Sequence, residues 1–168
     1  PEPFFVLATQ NPIEQEWTYP LPEAQVDRFL FKVVVNYPSI AQEKIILDTL
    51  EKDHIHDLKP VITHKQLTEL KKQIDNITIS DEIKHYITRL TDITRQEHDY
   101  ILYGTSPRGS IGLMLASKAV ALAEGRTYVT HEDVQRVALS VLRHRVILNY
   151  QAKLSGMTED QVLLELFE

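Results

Sequence analysis

Three residues in this 168-residue sequence stand where side chains commonly meet a phosphate or an activated water. Asn11 directly follows the apolar run Phe4-Phe5-Val6-Leu7-Ala8, in Thr9-Gln10-Asn11-Pro12. If that run is a parallel strand, Asn11 lies beyond its carboxyl end, where such sheets bind ligands. Its neutral amide could orient a water or a phosphate oxygen there, and an Asx turn before Pro12 would use the same residue. Arg28 closes the segment Pro22–Arg28 and precedes a second apolar run. It could offer a mobile positive charge to a phosphate, or complement a helix end and pair with Asp27 or Glu23. Arg108, in Ser106-Pro107-Arg108, falls at the second position of a helix. Free backbone N–H groups already attract anions at that point, and a guanidinium adds a fork of donors matched to phosphate. As a plain surface residue it would oppose the helix dipole by on the order of a few tenths of a kcal/mol.

Other clusters carry less. Asp53-His54-Ile55-His56-Asp57 alternates metal-type ligands, but a working site needs more of them converging on one point, so it reads as a solvated turn and no metal site is expected. Arg143-His144-Arg145 reads as the close of a helix, complementing its dipole. His85 and His98 have no neighbouring Ser, Cys or carboxylate arranged as a triad. The five glycines, at 104, 109, 112, 125 and 156, never approach G-x-x-x-x-G-K-[ST], and no acidic run suits a Walker B strand.

The elements that must position these residues change character along the chain. Phe4–Ala8 and Phe29–Val35 are short runs, apolar on both faces, of the kind buried in parallel sheets. Between them Pro12, Pro20 and Pro22 break any long helix, leaving about two turns from Pro22 to Arg28. From Pro38 onward the pattern is helical. Ser39 with Gln42, Thr63 with Gln66, Thr130 with Asp133 and Thr158 with Gln161 have capping-box spacing. Further helices are predicted to start at Ser80 and Ser106, the latter running to Gly125, and a stripe from Val134 to Leu142 marks the helix after Thr130. Gly109, Gly112 and Ala116 are small enough to let the Ser106 helix approach a neighbour closely. Faces of this kind need one another, so a helical bundle is expected after a boundary near Tyr37-Pro38.

Composition limits the function classes. There are 18 Lys+Arg against 24 Asp+Glu, 43% hydrophobic residues and no Cys. A packed core is affordable, while a disulfide scaffold, a thiolate–metal site and dominant disorder are excluded. A net charge of −6 disfavours broad nucleic-acid binding. No stretch approaches the roughly 18 apolar residues of a spanning helix, and no signal peptide opens the sequence. Met114 and Met157 are both internal, so Pro1 is read as a processed or cut start.

Taken together, Phe4-Phe5-Val6-Leu7-Ala8-Thr9-Gln10-Asn11-Pro12 and Tyr19-Pro20-Leu21-Pro22-Glu23-Ala24-Gln25-Val26-Asp27-Arg28-Phe29 strongly resemble the MoxR family of AAA+ ATPases. Ser106-Pro107-Arg108 and a helix from Thr130 to Asn149 resemble that family's lid. The resemblance implies a mainly α chain: residues 1–37 a two-strand remnant of the α/β core, residues 38–168 the helical-bundle lid of a P-loop NTPase. It implies that Asn11 is the sensor 1 residue beside the γ-phosphate, Arg28 an arginine finger acting on a neighbouring subunit, and Arg108 the sensor 2 residue. ATP and Mg²⁺ would be the cofactors of the parent protein. The implied partners are a homo-oligomeric ring, taken as a hexamer, and proteins carrying a von Willebrand factor A domain, in the cytoplasm, with no nucleic acid and no membrane span.

Two departures from the family pattern qualify these expectations. Trp17-Thr18-Tyr19-Pro20 stands where the family usually reads Gly-Thr-Tyr-Pro, so the loop after sensor 1 is expected to be reshaped. Walker A and Walker B are absent from the sequence, so the 168 residues alone are not expected to hydrolyse ATP. Residues 1–37 are expected to be rearranged, paired with another copy, or held by contacts unlike the parent's. The implied work of the parent is chaperone-like remodelling or metal insertion. The alternative is a stand-alone helical interaction module that never meets nucleotide.

Overall fold

A computed structural model describes residues 4–10, 21–50 and 59–167. Asn11, Trp17 and the 53–57 cluster lie outside the described residues. The elements are α1 (Glu23–Val26), α2 (Ile40–Leu50), α3 (His64–Asp75), α4 (Asp81–Ile93), β1 (Ile101–Tyr103), α5 (Pro107–Ala123), α6 (His131–Leu142), β2 (Ile147–Leu148), α7 (Tyr150–Leu154) and α8 (Glu159–Phe167).

Capping chemistry sets the helix starts as the spacing predicts. The N–H groups of Ser39, Thr63 and Thr158 donate to the glutamine side chains three residues on, at 2.8, 2.8 and 2.9 Å. The glutamine N–H groups donate back to the hydroxyls. Thr130 N–H donates to the Asp133 carboxylate at 2.8 Å, and Ser80 Oγ accepts from Ile83 N–H at 3.2 Å. α5 ends where expected, because Gly125 takes φ 71°, a left-handed value open to glycine. Arg126 N–H then reaches the Ala121 carbonyl at 2.8 Å and Gly125 N–H the Leu122 carbonyl at 2.9 Å. A parallel bridge between Thr78 and Tyr128 sets the starts of α4 and α6 side by side.

The core forms where α4, α5, α6 and α8 meet. Ile83 and Ile87 of α4, Leu113 of α5, Val134 and Val141 of α6 and Leu163 of α8 are all buried. Each such side chain contributes roughly 1.5–3 kcal/mol by leaving water. The small residues of α5 permit the close approach to α6: a Cβ at Gly112 would come within 2.9 Å of Val141 Cγ1. Among the described residues no helix is long and apolar enough to cross a membrane.

The chain is mainly helical with a two-stranded sheet, but the strands are not the ones predicted. Phe4–Ala8 and Phe29–Val35 carry no ladder. Phe4, Phe5, Leu7, Val33 and Val35 are 72–88% exposed. Apolar runs become buried strands only when neighbouring strands take up their N–H and C=O groups, and no described strand pairs with either run. The sheet instead joins β1 and β2 inside the helical part, antiparallel, pairing Ile101 with Leu148 and Tyr103 with Ile147. One extra residue on β1 makes a bulge. Accordingly the helix expected to run from Thr130 to Asn149 stops at Leu142. The turn at 143–146 frees Ile147 and Leu148 to pair, and the short α7 follows with Asn149 as its cap.

Candidate functional site

The start of α5 is fixed from below by the end of α4. Thr94 Oγ1 donates to the Thr91 carbonyl at 2.7 Å and accepts from Thr105 N–H at 3.1 Å. Arg95 Nε donates to the Thr105 carbonyl at 2.8 Å. Gly104 passes so close to the Thr94 backbone that a Cβ there would collide with the Thr94 carbonyl. These contacts hold Ser106 as the N-cap of α5, with Pro107 next and Arg108 after it. Ser106 Oγ accepts from Arg108 N–H at 3.2 Å and has its own proton to give elsewhere.

That proton goes to Asp27. Ser106 Oγ lies 2.9 and 3.1 Å from the two Asp27 carboxylate oxygens. Arg108 Nη1 stands 3.8 Å from Asp27 Oδ2, with the Arg108 side chain 50% exposed and that of Asp27 20%. Arg145 Nε donates to Asp27 Oδ1 at 3.1 Å. One carboxylate therefore sits between two guanidiniums and a hydroxyl, and Arg28 is the next residue along. The Arg28 side chain is exposed and has no hydrogen-bond or ion-pair partner among the described residues.

Arg145 also holds the backbone on either side of Arg28. Nη2 donates to the Asp27 carbonyl at 3.0 Å and the Phe29 carbonyl at 2.6 Å, and Nη1 to the Leu30 carbonyl at 3.2 Å. Nη1 also bonds the Val141 carbonyl of α6. Burial pulls the Arg145 pKa below its ordinary value, the Asp27 carboxylate opposes this, and the Arg108 charge adds to it. His144 Nε2 lies 3.0 Å from the Phe29 carbonyl, and Nδ1 is buried without a partner among the described residues. A carbonyl only accepts, so the proton is on Nε2. Burial lowers this imidazole's pKa to about 4, against the Phe29 bond that raises it. Arg143 completes the grip, donating to the Lys32 carbonyl at 2.9 Å and to both oxygens of Asp160 at 2.8 and 2.9 Å. Lys32 N–H in turn meets the Ser140 carbonyl at 2.9 Å.

The structure thus brings the segment of Arg28 and the helix of Arg108 together through Asp27. Asn11, the third predicted residue, lies outside the described residues. The 143–145 triplet does close α6 as its charge pattern predicts, through the Val141 carbonyl, but most of its donors serve residues 27–32. The pairing of Asp27 with Arg145 escaped sequence reasoning because 118 positions separate them, and no local spacing encodes it. The only local signal was Asp27 beside Arg28.

Two family models match parts of the chain. A family model described as the AAA lid domain matches residues 93–166, and one described as ATPase family associated with various cellular activities (AAA) matches residues 1–31. The uncharacterized protein YeaC of Bacillus subtilis is 46% identical over 98% of this chain, which spans 52% of YeaC. Chaperone MoxR1 of Mycobacterium tuberculosis is 37% identical over 97% of the chain, which spans 45% of that protein. The chain spans about half the length of the curated relatives it matches. A crystal structure of a candidate ATPase from Cytophaga hutchinsonii is 38% identical with a TM-score of 0.91, over 99% of this chain and 53% of the other.

Proposed function

The chain belongs to the MoxR family of AAA+ ATPases, and from that premise we propose that it supplies the sensor and lid elements of an ATP-hydrolysing, chaperone-like ring. The observation that carries this reading is Arg108, half exposed at the N-terminus of α5 and joined through Asp27 to the segment of Arg28. Both arginines fit a nucleotide's phosphates. Arg108 adds its fork at the positive end of the α5 dipole, and Arg28 stands unpartnered among the described residues on a backbone that Arg145 holds in place. ATP with Mg²⁺ supplies the phosphoryl group that passes to water.

In this reading Arg108 binds phosphate oxygens of its own subunit's nucleotide, and Arg28 reaches the nucleotide of a neighbour, where its charge offsets the negative charge spread over the transferring group. Asn11 orients the attacking water through its amide. The sequence holds no Walker A or Walker B, so these 168 residues do not turn over ATP alone. The exposed apolar runs at Phe4–Leu7 and Val33–Val35 support an α/β core packed against them in the working protein. An arginine finger acting between subunits supports a homo-oligomeric ring, and the family resemblance suggests a hexamer. Partners with a von Willebrand factor A domain, chaperone-like remodelling or metal insertion as the outcome, and a cytoplasmic location belong to the same proposal. The name of the M. tuberculosis relative supports the chaperone element.

The test is steady-state ATP hydrolysis by the full-length protein. Arg108→Ala is expected to raise KM, Arg28→Ala to lower kcat, and Asn11→Ala to lower kcat. Unchanged kinetics in all three variants would favour the stand-alone helical interaction module. Sustained phosphate release by the 168-residue chain alone would overturn the division of labour stated here.

A further inference from the structure

We infer that Asp27 is a positioning residue that links the two arginines: it holds Arg108 in reserve against nucleotide phosphate and fixes the point from which Arg28 projects. This inference rests on the roles proposed above for Arg28 and Arg108.

The three groups around the Asp27 carboxylate differ in how firmly they are held. Ser106 Oγ at 2.9 Å and Arg145 Nε at 3.1 Å are hydrogen bonds, and the Arg145 side chain is buried. Arg108 Nη1 at 3.8 Å is beyond hydrogen-bond length, and its side chain is half exposed. An exposed pair of this length contributes little and breaks easily. A phosphate approaching the start of α5 meets the same guanidinium, offers more negative charge, and competes with Asp27 for it. The carboxylate therefore acts as a stand-in anion, which keeps Arg108 near the helix start and weakens nucleotide binding by the small energy of the pair.

The same carboxylate also bears on Arg28. Asp27 precedes it by one peptide unit, so their Cα atoms are about 3.8 Å apart and any movement of one is passed to the other. Arg145 binds the carbonyls of Asp27, Phe29 and Leu30, and Ser106 binds the Asp27 carboxylate. The side chain of Asp27 thus ties the finger's backbone to the helix that carries Arg108. What Arg108 holds in its own subunit is reported, through this one carboxylate, to the finger presented to the next.

Two variants of the full-length protein separate this from a merely structural role. Asp27→Asn keeps the size and one acceptor but removes the charge that competes for Arg108. Its Kd for a fluorescent ATP analogue is expected to fall roughly three-fold, the factor a weak exposed pair corresponds to. Its kcat is expected to fall about ten-fold, because the finger is less well placed. In an Arg108→Ala background the change in Kd disappears and the loss of kcat persists. Ser106→Ala leaves the charge and removes a tether, so it is expected to lower kcat with Kd unchanged, and it stands in should Asp27→Asn not fold. General loosening would weaken binding and turnover together. An Asp27→Asn Kd that is unchanged or raised, or that falls equally without Arg108, overturns the inference, as does a lowered Kd in Ser106→Ala. If Arg108→Ala alone leaves nucleotide affinity untouched, the functional reading fails, and the inference with it. If Arg108→Ala and Arg28→Ala act as proposed while Asp27→Asn is silent, only the inference fails.

Discussion

Arg145 Nε and Asp27 Oδ1 lie 3.1 Å apart although 118 residues separate them, and the Arg145 side chain is only 3% exposed. The pair is supported by Arg145's other donors, which take the carbonyls of residues 27, 29, 30 and 141. A buried guanidinium is tolerated when every N–H has an acceptor and an anion is near. Here the acceptors come from the segment that must be placed and the helix it is placed against.

Arg145→Ala is therefore expected to cost about 3 kcal/mol, since it leaves a carboxylate and several carbonyls short of donors. Arg145→Lys should recover little of this, because one ammonium cannot span acceptors arranged for a planar fork. Urea denaturation of the full-length protein measures the loss, and hydrogen exchange at residues 27–32 locates it. A loss below roughly 1 kcal/mol would mean the pair behaves like an ordinary surface contact.

His144 gives the stability a pH dependence in mildly acidic solution. Its pKa is lowered to about 4 in the folded chain, from an ordinary value of 6.5. The unfolded chain therefore binds the extra proton first, and stability falls as pH drops from 6.5 toward 4. Above 6.5 the contribution is complete. His144→Gln, whose amide can still donate to the Phe29 carbonyl, should flatten the urea midpoint over this window. A midpoint equally steep in both proteins would assign the dependence to another group.

A second window lies lower. Asp133 accepts from Arg126 Nη1 at 2.6 Å and Nη2 at 2.5 Å and also from Thr130 N–H, with its side chain 3% exposed. The hydrogen bond from Arg126, foremost, holds its carboxyl below the ordinary 3.8, and burial opposes this. A depressed carboxylate contributes stability that is present above pH 3.8 and lost as pH falls through the lower folded value. Asp133→Asn should lower stability at neutral pH and reduce the loss seen below about pH 4. Circular dichroism during acid titration of both proteins checks the difference.

Gly112→Ala should separate α5 from α6 by pushing on Val141, with a cost of about 1–3 kcal/mol. Leu30 Cδ1 lies 3.5 Å from the added methyl, so the strain reaches the segment of Arg28 too. Gly104→Ala meets backbone at Thr94, which cannot rotate aside, and should be the more damaging of the two. Thermal unfolding ranks them. The reverse order would mean the turn into α5 is freer than its contacts indicate.

Much of this was legible along the chain. Capping pairs three residues apart placed the starts after Ser39, Thr63, Thr130 and Thr158, and the serines at 80 and 106 marked two more, because a helix terminus is satisfied by its own next turn. Arg108 was located at a helix start for the same reason, and the small faces of Gly109 and Gly112 announced the close packing against α6. The strands were misplaced because strand formation depends on a neighbour. Val33 to Val35 have the composition of a buried strand but nothing described beside them, whereas Ile147-Leu148 has the weaker signal and finds Ile101 and Tyr103.

The sequence by itself determined most of the helix starts, their order, the place of Arg108 at one of them and the family pattern, since each is written in residues within a few positions of one another. Tertiary structure alone decided that Asp27 would meet Ser106, Arg108 and Arg145. Those contacts span 79 to 118 positions, and hydrogen bonds of that separation exist only once the core of α4, α5, α6 and α8 has closed. Local chemistry chose the parts, and packing chose which charge would face which.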